Sequence, residues 1–232
     1  MKMLFVVALM VVSYSFAAEK KPVIEIDEDV LTSETQVSFK GTGDDHIAFV
    51  WWIPNEFWKK VLSNDASIGE TEKNTMLNAM SGISLLAVVQ GNISEYGAFE
   101  FFSKEEIERN MKLVYTDADG KKQNVSIVTK IDPTLEVLLG VFKPILAAAM
   151  GNMGNSMHFY VLNDKVKSTN RLLDPYEKGK IDIQLTKKKN LFLNTTIEFP
   201  LNSLYVPRIC PNGKEAHISW SYCPWTGKRL PE

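Results

Sequence analysis

Between Asp132 and Leu162 the chain passes from a long apolar run with helical spacing into a short aromatic one. Leu135, Val137, Leu138, Leu139, Val141, Phe142, Ile145, Leu146 and Ala147 to Met150 fall on nearly every side of a helical wheel. The spacing therefore predicts a helix covered on all faces, around which the rest of the chain is wrapped. Asp132 is placed to cap its free amides, and Pro133 stands at the first helical position, where a missing N–H is no loss. Pro144 is expected to kink it. Gly151 to Asn155 then reads as a C-cap and hinge leading into a strand at His158 to Leu162.

Upstream, Val23, Ile24 and Ile26 alternate with acids, and Val37 and Phe39 with polar residues, which predicts two short half-buried strands. Ile47 to Ile53 suits a buried strand, stopped by Pro54 and followed by a short helix carrying Phe57, Trp58, Val61 and Leu62. A helix over Thr71 to Met80 ends near Gly82, and Ile83 to Val89 is a continuous apolar strand. Tyr96 to Phe102 predicts another strand, and Ser103 to Glu106 has capping-box spacing for a helix to about Asn110. Lys112 to Thr116 with Asn124 to Lys130 reads as a hairpin around Asp117-Ala118-Asp119-Gly120, a turn lacking the further oxygen ligands of a calcium loop. Ile181 to Leu185 and Leu191 to Phe199 form a late hairpin, with Lys187-Lys188-Lys189 as its solvated tip. Strands interrupted irregularly by helices predict an α+β fold, its largely antiparallel sheet packed on the buried apolar helix.

Residues 1 to 17 resemble a secretory signal: Lys2, an unbroken apolar run from Leu4 to Val12, and Ser15-Phe16-Ala17 as a small-x-small cleavage pattern. The run is shorter than the roughly 20 residues of a spanning helix. An exported protein is expected, periplasmic or secreted, with no transmembrane span after signal removal. Its remaining 25 basic residues stand against 28 acidic ones, which points away from nucleic acid. Composition, 45% hydrophobic and 23% charged, is that of a globular chain. Residues 18–204 are read as one α+β domain. Three N-x-S/T sequons, at Asn92, Asn124 and Asn194, are taken as chance.

Residues 205–232 change character, gathering Pro207, Pro211, Pro224, Pro231, two tryptophans and both cysteines. Ile209-Cys210-Pro211-Asn212-Gly213 and Tyr222-Cys223-Pro224-Trp225-Thr226-Gly227-Lys228-Arg229-Leu230 resemble the two knuckles of a zinc ribbon of the rubredoxin type. The second ligand of each knuckle is replaced, by Gly213 and Thr226, leaving two of four thiolates and His217 as the nearest further donor. What the resemblance implies is a small C-terminal hairpin that brings Cys210 and Cys223 within bonding reach. In an exported chain they would be joined as a disulfide with no metal bound.

Catalytic signatures are sparse. His46 follows Asp44 and Asp45 in a turn, and His158 follows Ser156, yet Gly-Asn-Ser-Met-His is no nucleophile elbow and lies at a helix-to-strand junction. Gly151 to Asn155 follows a helix C-terminus, which repels phosphate, and no cofactor is implied. Trp51, Trp52, Phe57 and Trp58 form the densest aromatic group. Because successive strand residues point to opposite faces, Trp51 and Trp52 cannot share one core face. That segment, with His158, is the expected binding surface for a protein, peptide or saccharide. The chain is thus read as an exported, non-catalytic binding module of unknown oligomeric state. An exported hydrolase built on His158 and Ser156 or on His46, and a membrane-docking protein using the apolar helix, are the alternatives.

Overall fold

The computed structural model describes residues 18–39, 43–149, 151–167, 170–188 and 191–230, so the expected export signal, Met150 and Lys189 lie outside the described residues. A 3-10 turn at Val23–Glu25 leads to α1 (Glu28–Thr35), β1 (Gln36–Ser38), β2 (His46–Ile53), α2 (Asn55–Asn64) and α3 (Glu70–Ala79). Next come β3 (Ile83–Ile93), β4 (Phe99–Phe101), α4 (Lys104–Asn110), β5 (Lys112–Asp117), β6 (Lys122–Asn124) and α5 (Pro133–Ala149). A second 3-10 turn, Gly151–Ser156, precedes β7 (His158–Asn163), β8 (Lys165–Lys167), β9 (Asn170–Arg171), β10 (Gly179–Lys188) and β11 (Leu191–Phe199). The tail carries β12 (Arg208–Ile209) and β13 (Glu215–Ala216).

The fold is α+β, and its strand pairs are antiparallel. One sheet runs β1-β2-β3, with β4 and β7 sharing the far edge of β3; a second runs β11-β10-β5-β6. The first sheet is covered on both sides. Trp52 meets Phe199 of the second sheet at 4.9 Å between ring centroids, while its neighbour Trp51 packs edge-on against Phe57 of α2 at 5.3 Å. The second core face demanded by the strand alternation is therefore the helical layer. Trp51, Trp52 and Trp58 are only 4, 0 and 2% exposed, which corrects the expectation that they form a binding surface.

Helix α5 also departs from expectation. Phe142 lies 4.6 Å from Trp58, and Leu135, Leu138, Leu139 and Leu146 are buried. The opposite face is open: Val137, Val141 and Ile145 are 69, 57 and 61% exposed. The helix is the outer layer of the molecule and not its centre, because a sheet with its own two covered faces already occupies that place. Its start is as expected, with Thr134 N–H donating to Asp132 Oδ1 at 2.8 Å. The Ser103 capping box is also present, with reciprocal bonds to Glu106.

Other corrections are local. Val23 to Ile26 forms no strand: Asp27 accepts from Val30 N–H at 3.1 Å and opens α1, whose Asp27-Glu28-Asp29 start suits the positive end of a helix. The chain after Asn124 leaves the second sheet and pairs with the first, Ile127 opposite Leu162. Tyr96 stays outside β4. Lys187 is buried and paired with Asp45 at 2.5 Å, so the lysine tip is not wholly solvated. Elsewhere in the body, buried Lys60 donates to the Ile24 carbonyl at 2.8 Å, and a second buried group of charges is matched by carboxylates. Arg171 donates twice to Glu56, at 2.8 and 2.9 Å, and through Nε to Asp164 at 3.0 Å.

Candidate binding surface

The tail is fastened to the body at its root. Val206 N–H donates to the Glu19 carbonyl at 2.9 Å, Ile218 N–H to Asn202 Oδ1 at 2.8 Å, and the Ile218 side chain joins the main core. Beyond that root it has a core of its own made of Cys210, Ala216, Cys223 and Leu230. Four side chains of this size bury little apolar area, so hydrogen bonds have to fix the shape.

They do so at two turns. Gly213 N–H donates to the Cys210 carbonyl and Cys210 N–H to the Lys214 carbonyl, each at 2.8 Å. Gly227 N–H donates to the Cys223 carbonyl at 2.9 Å and Cys223 N–H to the Lys228 carbonyl at 2.8 Å. Both turns close through glycines at φ +81° and +67°, a region L side chains disfavour. The two thiols are both buried in this small core. Burial would raise the Cys223 thiol, but the Cys210 thiol, the Thr226 hydroxyl and the amides of Trp225 and Thr226 all donate to it and bring it down to about 7. Burial and the bond to Cys223 push Cys210 up to about 11.

The residues present do not fit a structural zinc ion. Gly213 and Thr226 bring no thiolate to the two turns, and His217 is engaged by Ser219, Nδ1 to Oγ at 2.7 Å. Among the described residues no three or more His, Cys, Asp or Glu side chains gather as a metal site.

What the tail turns outward is aromatic. Trp220, Tyr222 and Trp225 are 40, 60 and 48% exposed. Trp220 and Trp225 stand edge-to-face at 6.0 Å, His217 lies 6.0 Å from Trp220 on another side, and Lys214 Nζ sits 5.0 Å over the Trp225 ring. Trp225 stands within the turn closed by the Gly227 N–H on the Cys223 carbonyl, so this ring projects from a fixed backbone. Indoles placed in this way offer apolar faces with a polar rim, which suits ring stacking.

The residues expected to carry chemistry are placed otherwise. His46 is buried between the sheets, with Nδ1 3.0 Å from Asn92 Oδ1 and Nε2 3.2 Å from Gln90 Nε2. Both ring nitrogens are engaged, one donating and one accepting, which leaves none for acid–base work. His158 Nε2 lies 3.0 Å from the Phe102 carbonyl, to which it donates, and it is half-buried under β4. It forms no hydrogen bond with Ser156 among the described residues, so a hydrolytic pair is not assembled there. The sequence did hold a signal for the tail surface: two tryptophans and a tyrosine in a segment too short to bury them.

Comparison with protein-family models, with curated proteins and with solved structures gave no match to this chain.

Proposed function

We propose that this chain is an exported, non-catalytic binding module whose ligand surface is the aromatic face of its tail. In this reading the tail is a zinc-ribbon-like pair of knuckles closed by a Cys210–Cys223 disulfide. The observation that carries it is the division of the tryptophans: all three of the body are buried, and both of the tail are exposed on a hydrogen-bonded scaffold. Disulfide formation would join two thiols of the same small core and release two protons and two electrons to a thiol-oxidising protein disulfide of the export compartment. The test is tryptophan fluorescence of the full chain titrated with soluble polysaccharides and peptides. A saturable change that disappears in Trp220→Ala and Trp225→Ala supports the reading; the same change in both variants sinks it.

A second reading draws on α5. Val137, Val141 and Ile145 lie on one exposed stripe, which a lipid surface would cover. No helix among the described residues is long and apolar enough to cross a membrane, so contact would be peripheral. Flotation of the protein with neutral and anionic liposomes decides it: co-flotation abolished by Val141→Asp supports lipid contact, and its absence at both compositions removes it.

A further inference from the structure

Beside Trp220 the tail is indented by a groove of about 130 Å³, walled by Arg208, Arg229, Ser219 and Ser221 over a floor that includes Ile218. Among the described residues no Asp or Glu lines it, in a chain whose overall charge is negative. Arg208 is half-buried. It donates Nη1 to the Ile218 carbonyl at 3.0 Å, its Nε is buried without a hydrogen-bond partner, and it has no carboxylate partner among the described residues. Arg171 in the body shows what this chain does with a partly buried guanidinium when the fold supplies the counter-charge: two carboxylates surround it. At Arg208 no described residue supplies that counter-charge. A guanidinium held by a backbone carbonyl and stripped of part of its water has planar donor capacity left, and a carboxylate is the group that matches it.

The exposed side of the groove narrows the ligand further. Trp220 adjoins the arginines, so a ring that carries the anionic group can lie against the indole while the group itself reaches Arg208. We propose that the groove is the anion subsite of the aromatic surface, taking the carboxylate of a uronic-acid-type saccharide whose ring stacks on Trp220. This rests on the tail being the binding surface, and it adds the ligand's charge and class.

The full, oxidised chain is titrated with oligogalacturonate, with its neutral methyl ester and with inorganic phosphate, following tryptophan fluorescence. The acid form is expected to bind about tenfold more tightly than the ester, with a preference that shrinks as salt rises. Arg208→Gln should bring the two saccharides level while Trp220→Ala weakens both. Because Arg208 also holds the Ile218 carbonyl, Arg229→Gln serves as a second variant, with a thermal melt to confirm that each folds. Equal binding of acid and ester by the unaltered protein refutes the anion subsite and leaves the aromatic surface standing. Phosphate competing as well as the saccharide refutes the saccharide assignment. A C-terminal peptide carboxylate that binds more tightly than oligogalacturonate does the same. Failure of every ring-bearing ligand to bind refutes both the subsite and the surface.

Discussion

The body and the tail of this chain solve the same problem in opposite ways. In the body, Trp51 and Trp52 disappear into two different layers, Trp52 gives its indole N–H to Ser84 at 3.0 Å, and Arg171 is neutralised by Glu56 and Asp164. In the tail, Trp220 and Trp225 face outward and Arg208 has no carboxylate partner among the described residues. Where the fold has apolar area to bury, it takes its tryptophans inside and surrounds its buried arginine with carboxylates. Where it has only Cys210, Ala216, Cys223 and Leu230 to bury, the same residue types are left facing what lies outside. The difference teaches that residue type alone does not mark a site; the ratio of aromatic and cationic groups to the core available for them does.

The sharpest way to break this contrast is in the body. Trp52→Ala removes a ring packed on Phe199 and should cost about 4 kcal/mol of stability, measured by urea denaturation. Arg171→Met leaves Glu56 and Asp164 buried without their cation and should cost about 3 kcal/mol in the same assay. In the tail the large effect is chemical. With the disulfide formed, intact mass should be lower by two hydrogens, and reduction should expose the tail to protease while the body stays resistant. A pH series sharpens this. Cys223 has a folded value lowered to about 7 from 9.0, so in the reduced tail it contributes stability that is present above 9 and lost as pH falls through 7. Cys210, raised to about 11, adds stability that is present below 9 and lost as pH rises through 11. Protease resistance of the reduced tail should therefore peak near pH 9, and that of the oxidised tail should show no such peak. The smallest effect is Trp225→Ala, expected to leave stability within about 0.5 kcal/mol of the parent, since a half-exposed ring outside the main core contributes little to folding. A loss as large as that of Trp52→Ala would erase the contrast.

Much of the architecture was legible in the chain. The cap at Asp132, the capping box at Ser103 and the late hairpin all have local causes, and local causes survive folding. What the sequence could not convey was which neighbour covers a given face. The apolar residues of α5 look alike on a helical wheel, but only those turned toward Trp58 and the sheet found partners. Trp51 and Trp52 were correctly assigned to different faces, yet nothing local indicates that helices lie on one side and a second sheet on the other. His46 suffered from the same blindness: Gln90, which meets its ring, stands 44 residues further along the chain, and Thr186, whose carbonyl holds Gln90, another 96 beyond that. In the tail, the paired turns were readable from Cys, Pro and Gly, while the groove at Arg208 depends on Trp220 and Arg229 meeting across the hairpin.

Strand β3 has β2 on one edge, β4 and β7 on the other, and eight consecutive buried residues between Ser84 and Gly91. Its amides are thus shielded in all directions, and no partial opening can wet them. Placed in heavy water, this strand should be the last to take up deuterium, at a rate that reports the unravelling of the entire domain, while the tail amides exchange early and separately.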